Sequence, residues 1–147
     1  MVLERAFHNN VPTVIFTKDD LNSGVLINKL QSLNPDLIVL AGFLLQLPAA
    51  LIEAFPNKIV NIHPALLPKY GGKGMYGQFV HQAVLDNDEK ETGITIHFVN
   101  DHYDEGEVIF QKSIAVDDCT TAEEIATKVH ALEHEFYPKV IEQILTH

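Results

Sequence analysis

The stretch of sequence that decides the fold reads Asn61-Ile62-His63-Pro64-Ala65-Leu66-Leu67-Pro68. It overlaps an apolar run, residues 58–62, which predicts a buried strand that ends where the proline-rich coil begins. Asn61 and His63 are two positions apart, so on a strand their side chains point to the same face. We therefore expect an amide and an imidazole to meet at the carboxyl edge of a sheet, which is where ligands bind in open α/β folds.

The chemistry of this pair favours stabilisation of a developing negative charge. An amide N–H can donate to an oxyanion, and an imidazole can donate or accept a proton near neutral pH. A second strand is predicted at residues 93–99, and the polar loop 100–106 follows it before the apolar run 108–110. A carboxylate on this loop can orient His63 and keep it protonated.

Predicted strands and helices alternate along the whole chain. This alternation predicts an α/β fold, with a doubly wound, mostly parallel sheet flanked by helices. A length of 147 residues is typical of one domain, so residues 1–147 are interpreted as a single domain. The predicted strands are 11–16, 36–42, 58–62, 93–99 and 108–116, and the predicted helices are 3–9, 20–33, 48–55, 78–85 and a long C-terminal helix that a Thr121–Glu124 capping box opens.

The composition argues against a nucleic-acid-binding protein and against a membrane protein. The formal net charge is −10 and no Lys/Arg cluster is present, which argues against a nucleic-acid partner. No apolar run approaches the ~18 residues that a membrane span requires. A single cysteine, Cys119, cannot form an internal disulfide, and we interpret it as an incidental loop residue of a cytoplasmic protein.

Three motifs together resemble the folate-dependent formyltransferase family. They are residues 61–70, Asp104-Glu105-Gly106 and the segment 133–138, and the resemblance runs from about Ala6 to the end of the chain. Within that family, the motifs are most similar to enzymes that transfer a formyl group from 10-formyltetrahydrofolate to the amine of glycinamide ribonucleotide in purine biosynthesis. The resemblance implies small-molecule substrates, no metal and a possible homodimer.

The resemblance also implies a role for individual residues. Asn61, His63 and Asp104 would be catalytic, while Pro64 and Glu133 would contact the amine substrate. The family often has a basic residue in the turn at residues 44–46, where this chain has Leu45. This departure from the family pattern is expected to alter folate affinity. The folate pocket would be lined by Leu44, Leu45, Gln46, Leu47, Asn61, Asn100, Asp101 and His102.

Three alternatives stay open at the level of the sequence. The family fold begins with a strand and a phosphate-binding loop that we do not find here, so we expect an N-terminally truncated domain without its first βαβ portion. Such a chain is interpreted either as an active enzyme or as a fragment that binds folate without turnover. A formyltetrahydrofolate hydrolase, or a formyltransferase with another acceptor, is the second alternative. A zinc site of His63, His97 and Asp104 is the third, but no short metal-ligand spacing supports it.

Overall fold

The computed structural model describes residues 1–101 and 105–146. The chain divides into two compact units, residues 1–34 and residues 35–147. Among the described residues, no helix is both long enough and apolar enough to cross a membrane.

The first unit contains three helices, α1 (Val2–His8), α2 (Lys18–Ser23) and α3 (Val25–Leu33). Thr17 caps α2 in a reciprocal box, because its hydroxyl accepts from the Asp20 N–H and the Asp20 carboxylate accepts from the Thr17 N–H. The sequence predicted one helix across residues 20–33. The structure has two, because Gly24 adopts a left-handed conformation with φ of 89° between them.

The strand predicted at residues 11–16 is wrong. This segment is not part of the described sheet, and Val14 and Ile15 are 53% and 80% exposed. Its β-branched residues match a strand, but an extended segment becomes a strand only when its backbone pairs with a neighbour. No described segment supplies that partner.

The second unit contains a four-stranded sheet in the order β1-β2-β3-β4. The strands are β1 (Ile38–Leu40), β2 (Ile59–His63), β3 (Glu91–Phe98) and β4 (Val108–Ala115). β1 and β2 are parallel, while β2–β3 and β3–β4 are antiparallel. The α/β class with flanking helices is confirmed, but the expectation of a mostly parallel sheet is corrected to a mixed sheet. The short connection between β3 and β4 leaves no room for the crossover that parallel neighbours require.

Three helices complete this unit: α4 (Ala49–Ala54), α5 (Gln78–Asp86) and α6 (Ala122–Leu145). Thr121 caps α6 by accepting from the Glu124 N–H at 3.1 Å. The buried face of α6 packs against β3 in two apolar clusters. One cluster joins Val84, Ile94, Val116, Ile125, Val129 and Leu132, and the other joins Val60, Ile96, Tyr137 and Val140. These clusters fix the carboxyl end of β2, where Asn61 and His63 lie.

Candidate active site

A cavity of about 850 Å³ opens at the carboxyl end of β2 in the second unit. Its volume lies within the range of ordinary small-molecule sites. Asn61 and His63 both line it, as their spacing along one strand predicts. The rest of the wall comes from the turn 40–47, the glycine-rich loop 72–77, the segment 99–101, one side of α6 and residues that include His81 of α5.

The amide of Asn61 is oriented by His97 on the neighbouring strand. The two residues are register partners, and Asn61 Nδ2 lies 3.4 Å from His97 Nε2. His97 Nδ1 lies 3.0 Å from the Phe98 carbonyl oxygen, which can only accept, so Nδ1 carries a hydrogen. In the neutral ring Nε2 is then the acceptor, and Asn61 donates one amide hydrogen to it. The second amide hydrogen can serve a ligand in the cavity.

His63 is almost completely enclosed, with 3% of its surface exposed. Its Nε2 lies 2.7 Å from the carbonyl oxygen of Tyr70 in the loop that follows β2. Because a carbonyl oxygen only accepts, Nε2 is the donor in this bond. One nitrogen of the candidate catalytic ring is therefore held by the backbone of the chain.

Thr95 fixes the loop that leaves His63. Its side chain is fully buried, and its hydroxyl donates to the Ala65 carbonyl at 2.7 Å. The same oxygen accepts from the Leu67 N–H at 3.0 Å and from Gln111 Nε2 at 2.9 Å. A hydroxyl has one hydrogen and two lone pairs, so Thr95 is fully satisfied. This buried group ties the proline-rich loop to β3 and β4.

The turn after β1 forms an apolar wall with a polar edge. Leu44 and Leu45 are 61% and 42% exposed at the cavity, whereas Leu47 is buried. Gln46 Nε2 approaches the Asp101 carbonyl oxygen at 3.5 Å, the long limit of a hydrogen bond. This contact brings the turn next to the segment that contains Asn100. Such a wall suits a flat, partly apolar ring system.

The opposite wall is α6. Glu133 lines the cavity half-buried, and burial is the main cause that raises the pKa of its carboxyl group. Tyr137 lies one turn further, and its hydroxyl donates to the Leu40 carbonyl at 2.7 Å. This bond anchors α6 to the end of β1. The wall can present a carboxylate to a ligand's hydroxyl groups.

The structure places the described residues of the predicted site around this one cavity. Asp104 and His102 lie outside the described residues, so the predicted catalytic trio is placed only for Asn61 and His63. The roles assigned to these residues stay predictions. The predicted site residues that line the cavity are Leu44, Leu45, Gln46, Leu47, Asn61, His63, Pro64, Asn100, Asp101 and Glu133.

Sequence reasoning missed a histidine in the wall. His81 on α5 is 2% exposed, lines the cavity, and has no hydrogen-bond partner for its Nδ1 atom. Its ring lies edge-on to His130 of α6, with centroids 6.4 Å apart. Burial, followed by His130 and His63, lowers the pKa of His81 to about 4. The sequence did carry a signal for it, because His81 lies beside Val80 and three residues before Val84, on the apolar face of α5.

The depressed pKa of His81 predicts that the protein loses stability in mild acid. Between pH 6.5, the ordinary His value, and about pH 4 the unfolded chain binds a proton that the folded chain does not. Stability therefore falls as the pH drops through this window, by about 3 kcal/mol for a shift of this size. Urea unfolding at a series of pH values should show that His81→Gln removes this part of the pH dependence. An unchanged pH dependence in the variant would contradict the assignment.

Among residues 1–101 and 105–146, no group of three or more His, Cys, Asp or Glu side chains is arranged to hold a metal ion. Asp104, which the zinc hypothesis requires, lies outside the described residues. Cys119 is partly buried, and burial is the main cause that raises the pKa of its thiol. The thiolate form is therefore disfavoured, in agreement with an incidental cysteine.

Comparison with known proteins decides the family. The formyl transferase family model matches residues 1–141, across both compact units. The chain belongs to the formyl transferase family. The family assignment predicted from the motifs at residues 61–70, 104–106 and 133–138 is thereby confirmed, and a formyl donor is the co-substrate that the family implies.

Individual relatives support the same family assignment. A chloroplastic phosphoribosylglycinamide formyltransferase of Arabidopsis thaliana is 42% identical over 144 residues, which cover 94% of this chain and 49% of the relative. The Bacillus subtilis phosphoribosylglycinamide formyltransferase is 36% identical, over 98% of this chain and 74% of the relative. A crystal structure of the Bacillus halodurans enzyme superimposes with a TM-score of 0.85 at 29% identity, covering 98% of this chain and 74% of that one. The chain spans about half the length of the two plant relatives that it matches.

Proposed function

We propose that this cavity transfers a formyl group from 10-formyltetrahydrofolate to the primary amine of glycinamide ribonucleotide, a step of de novo purine biosynthesis. The observation that carries the proposal is the shared cavity of Asn61 and His63, between an apolar turn and the carboxylate-bearing wall of α6. Relatives named phosphoribosylglycinamide formyltransferase support the choice of acceptor.

Asn61 and His63 would stabilise the charge that develops during transfer. The amine nitrogen bonds to the formyl carbon, and the formyl oxygen becomes an oxyanion. The second amide hydrogen of Asn61 is donated to this oxygen, and protonated His63 offsets its charge. His97 reduces the cost of this step, because it holds the amide in position before the substrate arrives.

Asp104 is proposed to complete the proton path. Its carboxylate would keep His63 charged and orient a water that carries the amine proton to the nitrogen that leaves with the folate. The C–N bond to folate then breaks as the carbonyl re-forms, and no covalent enzyme intermediate is required. The folate ring would bind against Leu44, Leu45 and Leu47, with Gln46, Asn100, Asp101 and His102 at its polar edge.

Pro64 favours transfer to an amine over transfer to water. The resembling hydrolases usually have a histidine at this position, and here the residue after His63 lines the cavity as a proline. A proline has neither a side-chain base nor a backbone N–H, so it cannot activate water.

The cytoplasmic location and the homodimer stay proposals, and two plant relatives are chloroplastic.

Glu133 is proposed to accept hydrogen bonds from the sugar hydroxyls of the ribonucleotide. Glu133→Gln keeps the shape but weakens the acceptor, so we expect KM for the ribonucleotide to rise roughly tenfold. KM for 10-formyltetrahydrofolate should stay within about twofold, because the folate wall lies across the cavity. Steady-state kinetics with each substrate varied in turn make this test. Equal changes in both KM values would contradict the assignment, and so would no change at all.

A further inference from the structure

The loop after β2 contains a bulky residue in an unusual backbone conformation, directly beside His63. Tyr70 has φ of 58°, in the left-handed region that non-glycine residues rarely adopt. Its carbonyl oxygen is the acceptor for His63 Nε2 at 2.7 Å. A strained residue persists only where its surroundings hold it in place. The conformation of Tyr70 therefore requires contacts that hold it.

The Tyr70 side chain makes these contacts. The Tyr70 hydroxyl donates to Glu89 Oε1 at 2.8 Å, and the half-buried ring packs against the apolar cluster that contains Val84. Burial, followed by Glu89, raises the pKa of Tyr70 to about 12, so the hydroxyl remains a donor at neutral pH. Lys69 Nζ reaches the same carboxylate at 3.4 Å, but it is largely exposed and adds little.

The bond to the carbonyl fixes the protonation pattern of His63. The carbonyl cannot release or take up a proton, so Nε2 keeps its hydrogen in both the neutral and the charged ring. The neutral ring is then the Nε2–H tautomer, and Nδ1 is the nitrogen that gains and loses the proton. If the Tyr70 carbonyl were displaced, Nε2 would lose its acceptor. The His63 ring could then rotate and adopt either tautomer.

We propose that Tyr70 is a positioning residue for His63, with Glu89 as its anchor. The Tyr70–Glu89 hydrogen bond holds the strained backbone, the backbone carbonyl holds Nε2–H, and His63 thereby presents a single tautomer to the cavity. The effect on turnover rests on the proposed formyl transfer. The tautomer itself does not, because it can be measured without substrate.

The test compares Tyr70→Phe, Glu89→Ala and Glu89→Gln in the full chain. Tyr70→Phe and Glu89→Ala both remove the Tyr70–Glu89 hydrogen bond. Each should lower kcat roughly tenfold and leave both KM values within about twofold, since only the catalytic ring is displaced. NMR of nitrogen-labelled histidine, recorded at a pH high enough for the His63 ring to be neutral, should show the Nε2–H tautomer in the wild type and a mixture of tautomers in these two variants. Glu89→Gln keeps an acceptor for the hydroxyl and should retain the wild-type tautomer and kcat.

Gln82→Ala is the matched control, because it removes an exposed side-chain bond of the same 2.8 Å length, to Asp86. It should change neither readout. Glu89→Ala keeps the tyrosine ring in the core, so the test stands even if Tyr70→Phe does not fold. A wild-type tautomer in both Tyr70→Phe and Glu89→Ala would overturn the proposal, whatever their activity. A wild-type protein that formylates no ribonucleotide would instead overturn the proposed function and leave the tautomer result to decide the role of Tyr70.

Discussion

His63→Gln is expected to lose about a thousandfold in kcat while remaining folded, because general acid–base groups contribute on this scale. Glutamine is the informative replacement. Its amide N–H can still donate to the Tyr70 carbonyl that now accepts from Nε2 at 2.7 Å. It cannot become positively charged, so only the chemical contribution of the imidazole is removed. Steady-state formyl transfer and urea unfolding of the same preparations give the two readouts.

His8→Gln is the control for this substitution. His8 ends α1 in the first unit, is exposed, and has no proposed part in the reaction. Its kcat should stay within about twofold of the wild type, as for most surface changes. A His63→Gln enzyme that retains a tenth or more of wild-type kcat would show that the imidazole does not stabilise the transition state.

Thr95→Val should destabilise the protein by about 2–4 kcal/mol, because it leaves buried polar groups without partners. Valine matches the shape of threonine, so packing is kept. The Ala65 carbonyl and the Leu67 N–H would each lose the hydroxyl that now satisfies them at 2.7 and 3.0 Å. Thr95→Ser keeps the hydroxyl and should recover most of this loss. Urea unfolding of the three proteins measures the difference.

The same strand offers a matched control in Thr92. It is 2% exposed and its hydroxyl has no hydrogen-bond partner. Thr92→Val therefore removes an unsatisfied buried group and should be neutral or stabilising by up to about 1 kcal/mol. Equal losses in Thr92→Val and Thr95→Val would mean that the Thr95 network does not hold the loop.

The sequence predicted where Asn61 and His63 lie, but it did not predict how the strands of the sheet pair. Asn61 and His63 were found because a period of two residues is a local property of a strand, and β2 needs no knowledge of the rest of the fold. The direction of β3 and the absence of a strand at residues 11–16 depend on which segments pair. Pairing is a long-range choice that local propensity does not encode.

Residues that act through backbone geometry were also beyond the sequence. Tyr70 belongs to the motif at residues 61–70, but the motif implied no role for it, and its proposed role depends on a positive φ and on a carbonyl that faces His63. Gly106 is a partial exception. The motif at residues 104–106 marked it, and the structure gives the reason, because a Cβ atom there would overlap the Phe98 carbonyl oxygen. The sequence shows that residue 106 is a glycine, but only the fold shows which atom a larger residue would overlap.

The most direct test of the proposed formyl transfer follows one isotopically labelled formyl group through a single turnover. The wild-type chain is mixed with labelled 10-formyltetrahydrofolate and glycinamide ribonucleotide, and the products are separated and identified. We expect the label in formylated glycinamide ribonucleotide, and we expect Asn61→Ala to slow its appearance by about a hundredfold or more. Label recovered as free formate, or label that stays on the bound folate, would contradict the claim that this cavity is a formyl-transfer site for the ribonucleotide amine.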